Sequence, residues 1–176
     1  MSLTVYHCST PDIPNKVLTH AEDIAATLAE QGVRFERWQA VAPIPSGADD
    51  DAVIAAYQGD IDRLMTAGGY RCIDVERVSS REPQPVELRE CTREEDLVRL
   101  FVAGRGMFTL RVGDYVYALA CEKNDLIVLP AGTRHWVDMG ETPHFVVIRL
   151  FNTCAQGGNA VFTGEPIAES FARLDD

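Results

Sequence analysis

Apolar residues recur along this chain in two rhythms. Over roughly the first 80 positions the rhythm is helical, within a front that reads as a short strand, two helices and connecting loops. Ile24 and Leu28 stand one turn apart, Thr19 and Glu22 have the spacing of a capping box, and Gly32 supplies a stop. This predicts a helix over 20–31. A second helix is marked by Asp49, Asp50 and Asp51, acidic as a helix N-terminus favours, then by Val53, Ile54, Tyr57, Ile61, Leu64 and Met65, with Gly68 and Gly69 at its end. Its apolar stripe is expected to pack on the outside of a β core. From Val98 the rhythm shortens to strand-like runs over 98–102, 107–112, 115–121, 126–129 and 144–151, separated by Gly104-Arg105-Gly106, Gly113-Asp114, Lys123-Asn124-Asp125 and Pro130-Ala131-Gly132. Short strands at such spacing predict a mostly β protein, a jelly-roll barrel with two or three flanking helices in the N-terminal half. One domain is expected over 1–176, with a helical front at about 1–80 and a barrel core at about 81–165.

Charge narrows the partners. A formal net charge of −11 argues against nucleic acid and anionic membranes, because both are bound through clustered Lys and Arg. No run reaches the roughly 18 to 20 apolar residues that cross a bilayer, and the start, Met1-Ser2-Leu3-Thr4-Val5, has neither a basic nor an extended apolar region. A cytoplasmic location is expected, with a small molecule as partner. The five cysteines, Cys8, Cys72, Cys91, Cys121 and Cys154, are odd in number and include no C-x-x-C pair, so no disulfide framework is expected. Most of them read as small core residues.

Of four histidines, His135 is the strongest candidate for chemistry. It follows Pro130-x-Gly132-x-x at the start of a strand, the turn-then-ligand arrangement of the second cupin motif. A hydrogen-bonded histidine filling the barrel is the competing reading. His7, His20 and His144 read as surface residues.

A longer pattern then emerges. Glu95-Asp96-Leu97-Val98-Arg99-Leu100-Phe101-Val102-x-Gly104-x-Gly106-x-Phe108, Cys121-Glu122-Lys123-Asn124-Asp125-Leu126-Ile127 and Pro130-Ala131-x-Thr133-x-His135-Trp136-x-Asp138-Met139-Gly140 resemble the acireductone dioxygenases of methionine salvage. So do Ile148-Arg149-Leu150-Phe151, Phe162-Thr163-Gly164 and, in the front half, Gly32-Val33-Arg34-Phe35-Glu36-Arg37-Trp38-Gln39-Ala40. The resemblance covers nearly the whole chain and implies the cupin double-stranded β-helix. It also implies a metal motif, H-x-H-x-x-x-E, leading into the V-R-x-F-V strand. Placed by the ungapped downstream run, Cys91, Arg93 and Leu97 occupy its three positions, leaving His135 alone of four ligands.

Fe²⁺ or Ni²⁺ needs several convergent donors; leucine cannot coordinate, and a guanidinium repels a cation. The expectation is therefore a repurposed, metal-independent enzyme without cofactor, performing isomerase, lyase or cyclase chemistry on an enolisable or anionic substrate. His135 would act as acid or base, Arg93 as electrophile and Cys91 as nucleophile if its pKa is lowered. Arg99, which matches a substrate-placing position of the family, and Arg89, on the same strand face as Cys91 and Arg93, would bind substrate. Two alternatives stand beside it. One is a genuine acireductone dioxygenase holding Fe or Ni through atypical ligands, His135 and Cys91 with Glu95 or Glu94. The other is a non-catalytic cupin that binds a small molecule or a protein partner.

Overall fold

The computed structural model describes residues 1–83, 85, 87–154 and 160–175. Residues 84, 86, 155–159 and 176 lie outside that description. Twelve strands and three α-helices are described, with one short 3-10 helix at Pro166–Ser170. The strands are β1 (Ser2–His7), β2 (Pro14–Leu18), β3 (Arg34–Arg37), β4 (Cys72–Ser79), β5 (Cys91–Arg93), β6 (Leu97–Gly104), β7 (Gly106–Val112), β8 (Tyr115–Cys121), β9 (Asp125–Leu129), β10 (Arg134–Asp138), β11 (His144–Phe151) and β12 (Ala160–Phe162). The helices are α1 (Ala21–Ala29), α2 (Asp50–Ala55) and α3 (Gln58–Gly68).

Two antiparallel sheets face one another. One runs β12-β5-β10-β7-β8-β1-β2 and the other β3-β9-β6-β11-β4. Strand alternation sends one set of side chains between the sheets and the other outward. Leu3, Val5, Leu97, Phe101, Phe108, Leu110, Leu119, Ile127, Leu129, Phe145 and Val147 fill the interior, and Ile24 and Leu28 of α1 join that cluster. Val98, Leu100, Leu126, Ile148 and Leu150 point outward and are covered by Val53 of α2, Ile61 and Leu64 of α3, and Tyr57 between the two helices. On the opposite outer face, Met107, Val116, Ala118 and Trp136 are covered by Ala168 and Phe171 of the C-terminal segment. The mostly β double-sheet barrel with flanking helices is therefore as the sequence predicts.

Several local expectations need correction. α1 starts after His20, which is extended and makes no side-chain cap, so the Thr19–Glu22 box does not form. The second helix is two: Asp49 accepts a 2.8 Å hydrogen bond from the Ala52 N–H as the N-cap of α2, but Tyr57, at φ −122 and ψ 15, breaks the run before α3. The front also contributes four strands rather than one, because β3 and β4 edge the smaller sheet and β1 is held between β8 and β2. Cys72, opening β4, and Cys154, just after β11, form a disulfide, their Cα atoms 5.4 Å apart. Their separation of 82 residues carries no motif; the pairing of Cys72 with Phe151 across β4 and β11 brings them together. Among the described residues no helix is long and apolar enough to cross a membrane.

Candidate active site

His135 is delivered by a turn and a strand. The Thr133 N–H and hydroxyl both donate to the Pro130 carbonyl, at 3.2 and 2.8 Å, and the chain then enters β10. Since Trp136 packs outward, His135 and Val137 face the interior, and Val137 packs against the interior core. His135 is 2 % exposed. Its Nδ1 lies 2.8 Å from the Thr133 carbonyl oxygen. A carbonyl only accepts, so Nδ1 carries the hydrogen and Nε2 presents a lone pair.

That lone pair faces a sulfur. β5 pairs with β10 at Cys91 opposite His135, and Cys91 Sγ lies 3.8 Å from Nε2. Cys91 is 7 % exposed. Burial raises the thiol's pKa, and the nearby Arg93 guanidinium opposes this only in part. The lowered pKa that a nucleophilic Cys91 requires is not what its surroundings give it. For His135, burial pushes the pKa below the ordinary value; the Thr133 hydrogen bond opposes this, while Arg93 and Arg99 add to the depression. The ring is neutral at pH 7.

Three guanidiniums stand at this end of the barrel. Arg93 lies close enough to act electrostatically on Cys91, His135 and Arg99. Arg99 falls between Leu97 and Phe101 on the inner face of β6 and donates from Nη1 to the Val98 carbonyl at 2.8 Å. Loss of solvation, and then Arg149, lower its pKa to about 9, so it stays cationic at neutral pH. Arg149 of β11 makes a bidentate pair with Asp74 at 2.7 and 2.6 Å, and its Nη1 lies 3.5 Å from Glu76. The Phe151 ring lies 5.8 Å from the Arg99 guanidinium carbon and 5.4 Å from that of Arg149.

The fold thus brings together His135, Cys91, Arg93 and Arg99, with Leu97 packed in the interior core at 5 % exposure. Two other candidates are placed elsewhere. Arg89 lies before β5 begins, so strand alternation does not reach it; its guanidinium sits 3.9 Å above the Phe162 ring and 3.7 Å from Glu87, half exposed. Glu95 lies in the surface turn before β6, where its carboxylate accepts from the Thr153 hydroxyl at 2.6 Å, and Glu94 is exposed. Arg149, Asp74 and Glu76 were not singled out from the sequence. Arg149 had a visible signal, since it shares strand parity with Val147 in the 144–151 run. The two acids had none, because charged residues that face a lumen look like an exposed strand face.

A family model described as ARD/ARD′ matches residues 3–158. This chain belongs to that family. It is 62 % identical over 180 residues to the acireductone dioxygenase of Pseudomonas fluorescens (strain Pf0-1), covering 99 % of each protein. It is 61 % identical over 179 residues to that of Stutzerimonas stutzeri (strain A1501), covering 99 % of this chain and 98 % of the relative. Among solved structures, "Acireductone dioxygenase from Bacillus anthracis with cadmium ion in active center" superposes with a TM-score of 0.73 at 21 % identity, covering 91 % of this chain and 96 % of that one, which establishes the shared fold.

ARD membership over the full length overturns two expectations. A metal-independent isomerase, lyase or cyclase does not stand against relatives at about 60 % identity that carry the dioxygenase name. Nor does the expected lack of a cofactor stand, as the B. anthracis relative has a cadmium ion in its active center. The side chains of this ARD member nevertheless suit the implied iron or nickel poorly. Among the described residues no three His, Cys, Asp or Glu side chains are grouped to hold a metal ion. His135 and Cys91 form a pair, Leu97 has no lone pair, and Arg93 brings positive charge. An iron or nickel centre closed by nitrogen and oxygen donors does not fit these residues.

Proposed function

We propose that this chain is an acireductone dioxygenase of methionine salvage with an atypical ligand set, Cys91, Arg93 and Leu97 standing where the family motif has H-x-H-x-x-x-E. The observation that carries the reading is identity of about 60 % over the full length with relatives of that name. The substrate class follows: a small enediol conjugated to a carbonyl, which is acidic and binds as an anion. The interior suits such a molecule, with the Arg99 and Arg93 cations beside His135 and the Arg149 guanidinium close by, held by Asp74. Cations in a site poor in water stabilise an enolate far better than water-exposed ones do. The neutral His135 ring, fixed by the Thr133 carbonyl, offers Nε2 as the basic atom to take the enediol proton. Burial of His135 and Cys91 keeps solvent from the reacting carbons.

The test uses the purified full chain, supplied with Fe²⁺ or with Ni²⁺ in separate experiments and mixed with acireductone and oxygen. Loss of the enediolate absorbance and oxygen uptake are recorded together. Turnover above that of the metal salt alone, abolished by His135→Ala, is expected. Rates equal to the salt alone under both metals would overturn the reading.

A further inference from the structure

The disulfide joins two strand ends that meet beside the Arg149 pair. Cys72 opens β4 and is paired with Phe151, the last residue of β11, and Cys154 follows shortly after. Cys154 is exposed and Cys72 half-buried, so an external thiolate has access to the bridge. Exposed bridges are the ones that small thiols reduce most readily. β4 lies at the edge of its sheet, laddered to β11 on one side alone, and none of its eight residues is fully buried. Segments with few buried apolar contacts open locally at a cost far below that of global unfolding. Its far end is fastened by Arg77, which donates to the Ala48 carbonyl at 2.7 Å and to Asp50 at 3.0 Å. The end of β11 has its own tie, from the Thr153 hydroxyl to Glu95 at 2.6 Å. With the bridge open, the start of β4 is therefore the end that loosens.

Asp74 lies two residues after Cys72. Cys72, Asp74 and Glu76 share one strand face, so the bridge and the two acids that hold Arg149 are successive rungs. Opening the first rung loosens the second, and two effects then compete. Release of Asp74 leaves Arg149 more positive, which favours an anion, but the Asp74 side chain is 41 % exposed and solvent screens its charge. Entry of water weakens the pull of Arg99, which is desolvated while the barrel is closed, and this is the larger effect.

We propose that Cys72 and Cys154 are a thiol–disulfide exchange site, at which small thiols of the glutathione type open and close the β4 end of the barrel and so set how tightly it holds an anionic substrate. One thiolate attacks the exposed Cys154 sulfur, and Cys72 leaves as a thiolate. A second attacks the external sulfur of the mixed disulfide and releases Cys154. Two molecules of the thiol become one external disulfide, and the two protons they lose end on the protein thiols. The reverse sequence closes the bridge. The effect on substrate rests on the dioxygenase reading above; the exchange site itself does not.

The full chain is equilibrated with mixtures of reduced and oxidised glutathione, quenched in acid and digested, and the Cys72–Cys154 cross-link is quantified by mass spectrometry. Backbone hydrogen exchange is followed in parallel. The cross-link is expected to convert to two thiols across the mixtures, with exchange over Cys72–Ser79 quickening roughly tenfold or more and that over Leu97–Gly104 unchanged. Cys72→Ser combined with Cys154→Ser should exchange like the thiol form in every mixture, which excludes Cys8, Cys91 and Cys121 as the source. KM for acireductone, measured after the glutathione is removed, should be about threefold or more higher with the bridge open. A bridge that stays intact in fully reduced glutathione, exchange in β4 indifferent to its opening, or equal KM in both states would overturn the proposal. Conversion and quickened exchange without turnover in either state remove the dioxygenase reading and keep the exchange site. Turnover with a thiol-resistant bridge does the reverse.

Discussion

Arg99 sits where strand alternation would place an apolar side chain, between Leu97 and Phe101 on the inner face of β6. Its guanidinium is lowered in pKa by burial, and its hydrogen bond goes to a backbone carbonyl. Such a cation costs stability, and the substrate-binding role proposed above would offset that cost. Arg99→Met is expected to leave the thermal midpoint unchanged or raised while raising KM for acireductone at least tenfold. Unchanged KM with lowered stability would assign Arg99 a structural role instead. Gly104 presents the opposite case. Its φ is +79, and a Cβ there would run into the His144 carbonyl and the Phe145 backbone. Gly104→Ala should cost roughly 2 to 4 kcal/mol in chemical denaturation, through strain and a clash with backbone that cannot give way.

β5 has only three residues, so something besides its ladder must hold Cys91 in place. Glu90, immediately before it and 1 % exposed, accepts from Arg111 of β7 at 2.8 Å and from the Thr163 hydroxyl at 2.9 Å. Arg111→Met should therefore cost about 3 to 5 kcal/mol by leaving a buried carboxylate unpaired, and Glu90→Gln added to it should recover part of the loss. A second tie joins the end of α3 to the His135 turn: the Tyr70 hydroxyl donates to Asp96 at 2.7 Å, and the other Asp96 oxygen accepts from the Ala131 N–H at 3.0 Å. Burial, and then Asp96, raise the Tyr70 pKa above its ordinary value of 10.0. The unfolded chain then releases this proton first. Stability is full below about pH 10 and falls as pH rises from there toward the raised value. In urea titrations between pH 9 and 11, Tyr70→Phe should show a shallower alkaline loss than the unaltered chain. At this scale the long strands with alternating apolar residues, such as 115–121 and 144–151, were legible in the sequence. β4 and β5 were not: β4 turns Asp74 and Glu76 toward Arg149, which inverts the usual alternation, and Cys91-Thr92-Arg93 is too short to show any period.

At the scale of the molecule, the family was readable because its blocks are spread over nearly the whole chain. The chemistry was misjudged because three substituted positions were weighed against that breadth. The structure sets Cys91 against His135, Sγ 3.8 Å from Nε2. The disulfide could not be read from spacing, because it depends on β4 lying beside β11. It closes a loop with 82 residues of separation. Reduction, or Cys154→Ser, should lower unfolding stability by roughly 2 to 4 kcal/mol, measured as a shift of the urea midpoint with and without reductant. The barrel's order of assembly follows from the same long-range pairing. Ser2–His7 docks between Pro14–Leu18 and Tyr115–Cys121, so this strand must wait for its second partner, translated more than a hundred residues later. Chains wired this way pay a large loop-closure entropy before their pairings stabilise them. On dilution from denaturant this one should regain its native state over milliseconds to seconds, and a nascent chain released before Cys121 has left the ribosome has no lumen to close.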